Sequence, residues 1–483
     1  MKFTPVQLNS PATTSTARKG MLSMLTIGLQ GGTRFISNWL IGRVAGKLVL
    51  GLVASATALA FTLNTLWTSS VQSAASKFIA RARGKGDDEQ VHAVANHLAK
   101  RVLQVVLVLA AIAPFLWWWW YRGSVWEGLC ISAILITVAT SQFARGIHFG
   151  AGQIARGTRI DVLTSVIGIG VTALMLTLGV RDITLTLPLT IALGVYSLLC
   201  WPWTAHGRPE KALRSEMDKF VTFSALGSIA SAGMLQISQL VAKGISEHAA
   251  AQYAPALQLV TPLAIIASAL TMVLFPAMAE AHGREDRDAL RRQTHLASTA
   301  FVAALVPIFG GMAIAARFVI RVVWGESYAD AAPLMPVFCL ALLAANIATP
   351  SVGSITSGPH KNMWYSLLLA QAGLLSAVVS WWLLVPRIGV MGVAVGYGIG
   401  SAVTAFSLIG VAWKLNGQRW LGLALATIGG MVAIGVLSWW RITQPVNYVI
   451  DIAVAVGFAL IWSAAWSPVL LRVWRSRRGA TSS

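Results

Sequence analysis

Charge is what this sequence has least of. Only 11% of its 483 residues are Asp, Glu, Lys or Arg, against about 25% in a soluble globular domain. That scarcity excludes a conventional soluble fold and leaves no solvent-exposed segment large enough for a catalytic domain, so no enzymatic activity is expected. Cysteine is almost as rare. Cys130, Cys200 and Cys339 lie far apart in or beside apolar runs, which suggests neither a disulfide framework nor a metal site. No cofactor motif stands out. Acidic residues are missing from the middle of every apolar run: Asp161, Asp182, Asp330 and Asp451 fall near ends or connections. A proton- or sodium-coupled cation exporter commonly needs a carboxylate there, so an anionic cargo fits better.

What is present is apolar surface. Hydrophobic residues make up 56% of the chain and the mean hydropathy is +0.68. Twenty tryptophans suit the two interfaces of a membrane, where an amphipathic ring gains from a half-wet position. The densest group, "WWWWY" at 117–121, is expected at the outer end of a span. The net charge of +20 could suggest nucleic acid, but such binders gather their basic residues on one soluble surface. Here the basic residues form short clusters between apolar segments, so they read as a topology signal.

A spanning helix needs about 20 predominantly apolar residues. On that basis the chain is expected to be an all-α polytopic membrane protein with about 14 transmembrane helices, among them spans at 22–42, 48–70 and 102–121 in the first half and 253–276 in the second, with a polar connection between 70 and 102. Two pseudo-symmetric six-helix lobes, 22–204 and 220–412, flank a cytoplasmic linker at 205–219, and an added helix pair occupies 413–471. Residues 1–21 are expected to be a disordered cytoplasmic N-terminus, and 472–483 a basic cytoplasmic tail. Most of the 37 Lys and Arg residues then fall on one side, as the positive-inside rule requires of a multi-pass protein of the cytoplasmic membrane with both termini inside.

A short internal repeat supports the two lobes. "ARARGKGDD" (80–88) and "AEAHGREDR" (279–287) share Ala, Ala, Gly and Asp at matching positions, each after the second span of a lobe. Parallel repeats of this kind suit alternating access around a central cavity.

Within the spans, Gln30, Arg34 and Asn38 recur every fourth residue and so share one helix face. An arginine at a helix centre costs about 2.5–3.5 kcal/mol on insertion scales. Two readings of Arg34 are open: it lines a hydrated cavity, or it snorkels to the nearer surface. The first helix of the second lobe carries Gln236, Gln239 and Lys243 close to one face, and these six residues are the candidate substrate-headgroup cavity. Asn64, Gln142, Asn346 and Gln371 are further interior groups, for which single interhelical hydrogen bonds are the simpler reading. Two Gly-rich connections, "RGIHFGAGQIARGTR" (145–159) and "GSITSGPHKN" (353–362), place Arg145, His148, Arg156, Arg159, His360 and Lys361 at a candidate cytoplasmic gate. There arginines would meet an incoming phosphate, although topology alone also calls for basic residues at these sites.

Three stretches carry a family resemblance: "GRVAGKLVLGLVA" (42–54), "SAASKFIARARGKGDDEQ" (73–90) and "LVPRIGVMGVAVGYGIGSAV" (384–403). In these the chain resembles the polysaccharide-flippase branch of the multidrug/oligosaccharidyl-lipid/polysaccharide exporter superfamily. The resemblance implies two six-helix lobes moving a polyprenyl-pyrophosphate-linked sugar between leaflets by alternating access, for cell-surface polysaccharide biosynthesis. It also implies that Arg34 engages the phosphates. Envelope-polysaccharide biosynthesis proteins are the implied partners. A small-molecule or multidrug exporter of the same superfamily, an accessory protein of the same fold, and a membrane-embedded glycosyltransferase or polymerase are the competing readings.

Overall fold

A computed structural model describes residues 16–263, 287–356, 360–418 and 420–480. Every regular element in them is helical. That is the expected solution in lipid, where each backbone N–H and C=O must find a partner within its own segment. Among the described residues, twelve helices are long and apolar enough to cross a membrane, and the protein is a multi-pass membrane protein. The expected fourteen include two spans outside that set. The first is α1 (Thr16–Ala45), whose hydropathy is lowered by Gln30, Arg34 and Asn38. The other, expected at 253–276, lies largely outside the described residues, as does the second copy of the short repeat.

The chain divides into two compact units, Met1–Ala254 and Pro255–Ser483. In the first, α1 is followed by α2 (Lys47–Thr65), α3 (Ser70–Gly84), α4 (Asp88–Tyr121) and α5 (Val125–Gly150). Next come α6 (Ile154–Thr177), α7 (Leu187–Cys200), α8 (Lys211–Ser228) and α9 (Met234–Ile245). A π-helical turn, Ile229–Gly233, joins α8 to α9, so that Lys211–Ile245 forms one span. This span packs with the first unit: Gln239 Nε2 donates to Ser55 Oγ at 3.2 Å, and Tyr121 Oη donates to the Leu240 carbonyl at 2.9 Å. Ion pairs Arg81–Glu216 and Arg101–Asp218 hold its other end. The division by packing falls after this span, between Ala254 and Pro255.

Several helix ends depart from the apolar stretches that announce them. The second span, expected over 48–70, stops at Thr65, and a turn over 66–69 leads into α3. The polar connection expected before residue 102 is helical: α3 buries Val71, Ala74, Ala75, Phe78, Ile79 and Ala82. The third span begins at Asp88, capped by Asp87 accepting from the Gln90 N–H at 2.8 Å. Hydropathy marks only the stretch that meets lipid, whereas the capping carboxylates mark where the helix starts. Helix α1 likewise begins at Thr16, inside the segment expected to be disordered. At the α4–α5 reversal, Ser124 and Glu127 form a capping box, and Glu127 also accepts from Trp117 Nε1 at 2.6 Å. Of "WWWWY", Trp117 is thus core, while Trp118, Trp119 and Trp120 face outward.

In the second unit, α10 (Glu247–Val260), which carries the boundary, is followed by α11 (Arg287–Ile314) and α12 (Ala316–Val323). Then come α13 (Met335–Ile347), α14 (Thr349–Thr356), α15 (His360–Ile388), α16 (Val390–Leu415), α17 (Leu421–Thr443) and α18 (Tyr448–Ala480). Fully buried Asp451 ties the last pair down. Its Oδ1 accepts from Arg441 Nε at 2.7 Å and from Arg317 Nη2 at 3.1 Å.

Close approach of α3 to α5 depends on two glycines four residues apart, Gly146 and Gly150. A Cβ on Gly146 would lie 2.4 Å from the Gln72 carbonyl oxygen, and one on Gly150 would lie 2.9 Å from the Ala75 oxygen. Small residues at this spacing let helix backbones touch, and here they fix the start of α3. Overpacking such a seam costs about 1–3 kcal/mol. Gly146→Val is therefore expected to lower the thermal unfolding midpoint of the detergent-purified protein, whereas Gly170→Val, with open space around its position, leaves it unchanged.

Candidate functional site

The polar residues of the first unit converge where α2 breaks. A cavity of about 260 Å³ opens against Phe61, Asn64 and Thr65 of α2 and against Ser69, Ser70, Gln72 and Ser73 of the turn and first residues of α3. Gln142 of α5 lines it, as do Ser224, Ser228, Ala232 and Gln236 along the π-distorted span. Hydroxyls and carboxamides dominate, and none of these residues is charged.

Two backbone irregularities build this wall. Beyond Thr65 the α-helical hydrogen-bond pattern gives way: the Ser69 N–H reaches back to the Asn64 carbonyl at 2.9 Å, while Ser70 and Val71 bond to Trp67 and Thr68. The Asn64 side chain secures the break, donating to Gln142 Oε1 at 2.9 Å and accepting from Thr68 Oγ1 at 2.6 Å. Opposite it lies the π turn. A Cβ on Gly233 would come within 3.2 Å of Thr65 Oγ1, so glycine lets the two irregular segments meet. π turns inside α-helices frequently occur at functional sites.

The sequence candidates distribute unevenly around this cavity. Gln236 lines it. Gln239 is buried and tied to Ser55, an interhelical bond rather than part of the lining. The Lys243 side chain is largely buried and pairs with Glu247 at 3.0 Å. On α1, which packs along α6 through a 2.8 Å bond between the Thr26 and Thr158 hydroxyls, the polar stripe splits. Arg34 lies over the Phe61 ring, 4.3 Å from its centroid, and so backs the cavity wall. Gln30 hydrogen-bonds to the Asp161 carboxylate. Asn38 is half-buried.

Arg145, expected at the rim of a cytoplasmic opening, is buried instead. Its guanidinium donates from Nη2 and Nε to the two Asp161 carboxylate oxygens at 2.7 and 3.3 Å and lies over the Tyr196 ring at 4.5 Å. His148 is also buried, its Nδ1 2.9 Å from the Ala144 carbonyl oxygen. Arg156 is half-buried and Arg159 exposed. His360 and Lys361 stand at the start of α15; their side chains lie outside the described residues. Asn346 bonds to the Leu342 carbonyl of its own helix.

Two features escaped the sequence reading. Asp161 and Asp451, read as lying near ends, are buried ion-pair partners of arginines. A signal was available: Arg145 and Asp161 lie at nearly equal distances on either side of the reversal at Gly152, as do Arg441 and Asp451 around residue 446, so antiparallel helices bring each pair level. The serines of "TSSVQS" (68–73) were also passed over, because a hydroxyl-rich stretch between an apolar run and a basic cluster resembles an ordinary connection.

Residues 102–333 match a family described as "Polysaccharide biosynthesis protein". The sequence has no match among curated proteins. Solved structures agree on the fold. The lipid II flippase MurJ, in an inward closed conformation, superposes with a TM-score of 0.69 at 14% identity, covering 93% of this chain and 99% of that one. An inward-facing multidrug resistance MATE family transporter of the MOP superfamily gives a TM-score of 0.65 at 16% identity, covering 86% of this chain and 98% of that one. A MOP superfamily transporter from Pyrococcus furiosus, described as having a binding pocket of reverse polarity, gives 0.56 at 15%, with coverages of 90% and 99%. The fold is similar to that of the solved MATE and MurJ membrane transporters, and the stretch 102–333 is similar to a polysaccharide biosynthesis family.

Breaking a buried ion pair strands one charge and costs about 3–5 kcal/mol, whereas replacing both partners with apolar groups is often neutral. Asp161→Leu alone is thus expected to lower the melting temperature of the purified protein, and adding Arg145→Met is expected to recover most of the loss. Thermal unfolding of the single and double variants measures both.

Proposed function

We propose that this protein flips a polyprenyl-pyrophosphate-linked oligosaccharide from the cytoplasmic to the outer leaflet by alternating access, for cell-surface polysaccharide biosynthesis. The observation that supports this most is the hydroxyl- and carboxamide-lined cavity among the spanning helices, with the Arg34 cation against its Phe61 wall. Polar groups inside a membrane bundle are costly and mark substrate paths. The cavity takes up the hydrated headgroup, Arg34 attracts the pyrophosphate, and the prenyl chain stays in lipid. A phosphate is a strong acceptor for an arginine, and among the described residues Arg34 is paired with an aromatic ring and with no carboxylate. The match of residues 102–333 to a polysaccharide biosynthesis family adds to this reading, as does the likeness of fold to a lipid II flippase.

In the same reading α1 and the segment around 253–276 complete fourteen spans, with both termini cytoplasmic. The two sequence halves, 22–204 and 220–412, act as six-span lobes with a pair added at 413–471. The protein works in the cytoplasmic membrane beside the enzymes that assemble and extend the glycan; it is itself a transporter and makes no covalent change to its cargo. The lining of the cavity carries no carboxylate, which counts against an exporter of organic cations.

Reconstitution into sealed vesicles with a leaflet-specific probe of the lipid-linked sugar tests the proposal. Wild-type protein is expected to accelerate sugar translocation, and Arg34→Ala to slow it about ten-fold or more, the equivalent of one charge-assisted hydrogen bond. Transport by wild type no faster than in empty vesicles would reject the function. Unimpaired transport by Arg34→Ala at matched abundance would remove Arg34 from it.

A further inference from the structure

The lining of the cavity is polar and neutral: ten of its twelve residues, all but Phe61 and Ala232, carry a hydroxyl or a carboxamide. Lining groups of this kind select for a ligand that can pair with them and against one that cannot.

We propose that this cavity is a subsite for a single uncharged sugar ring of the cargo and that it discriminates against acidic sugars. This rests on the lipid-linked saccharide reading above and narrows it. A cavity of about 260 Å³ lies just below the range of about 300–1,000 Å³ that holds drug-sized ligands, so it takes one ring and not a chain of them. Each sugar hydroxyl both donates and accepts, and serine hydroxyls and carboxamides answer in both senses. Ser224, Ser228 and Gln236 of the π-distorted span and Gln142 of α5 supply these groups. Phe61 offers an apolar face to the C–H side of a ring.

The exclusion follows from charge. A hexuronate carboxylate brought into this lining would be desolvated with no cation among the lining residues to meet it. Arg34 lies on the Phe61 ring and outside the lining. Anion recognition and sugar recognition are thereby assigned to separate groups, phosphate at Arg34 and sugar at the serines and carboxamides.

The full-length protein in phosphatidylcholine nanodiscs tests the subsite, with binding followed by tryptophan fluorescence. Three ligands are compared: the polyprenyl pyrophosphate alone, the same carrier bearing one N-acetylhexosamine, and the carrier bearing one hexuronic acid. The neutral sugar is expected to tighten binding about ten-fold over the bare carrier, the worth of one or two net hydrogen bonds, and the hexuronic acid to add nothing. Ser224→Ala and Gln236→Leu are each expected to remove most of that gain while leaving the bare-carrier affinity unchanged. A hexuronyl lipid bound as tightly as the neutral one overturns the proposal, as do variants that weaken all three ligands equally. Binding of the bare carrier with no gain from sugar ends the subsite and leaves the flippase reading standing. No binding of any of the three ends both.

Discussion

A helix crossing lipid can break only where something other than lipid satisfies the backbone it frees. That constraint organises the first unit. Helix α2 stops at Thr65, and the span opposite loosens into a π turn at Ile229–Gly233. Both irregularities turn toward the same hydroxyl-rich space, and Asn64, Gln142 and Thr68 bond across the break. Gly146 and Gly150 bring α3 against α5 and so hold the serines of α3 at the cavity wall. Without the cavity the break in α2 would be a defect. With it, the break supplies four of the polar side chains that a hydrated ligand needs.

Charge follows a complementary pattern. The buried carboxylates Asp161 and Asp451 are each held by arginine, so they act within the scaffold and leave the cavity neutral. Arg34 is different in kind. It is placed against an aromatic ring, a contact worth about 0.5–2 kcal/mol, and that offsets only part of the cost of a cation among spanning helices. Gln30, one turn away, is drawn to Asp161 instead. The polar stripe of α1 therefore serves two neighbours, α2 and α6.

Much of this architecture was legible in the chain. Apolar runs located the helices because lipid contact demands them, whereas the glycines of "GIHFG" (146–150), read as part of a connection, lie within α5 at the spacing of a tight helix seam. Arg34 was conspicuous because a charge inside an apolar run has few explanations. The cavity itself was not legible. Ser69, Ser70, Ser224 and Ser228 come from segments far apart in sequence, and serine is common in connections, so no local pattern marks them as one surface. The reach of Arg145 was misjudged for a related reason: topology predicts which side of a membrane a cation lies on, whereas a carboxylate across a helical reversal decides whether it faces water. The start of α3 was missed because hydropathy reports contact with lipid, and α3 buries its apolar face against other helices.

The central claim is that the neutral cavity between α2, α3 and the π-distorted span is where the saccharide headgroup sits. The described cysteines Cys130, Cys200 and Cys339 are buried, so a single Ser228→Cys variant reports on the cavity against a low background. The most direct measurement is the rate at which a water-soluble maleimide modifies that cysteine, with and without saturating lipid-linked saccharide. The account predicts modification of the free protein and strong protection by the ligand. Equal rates in the two conditions would contradict it.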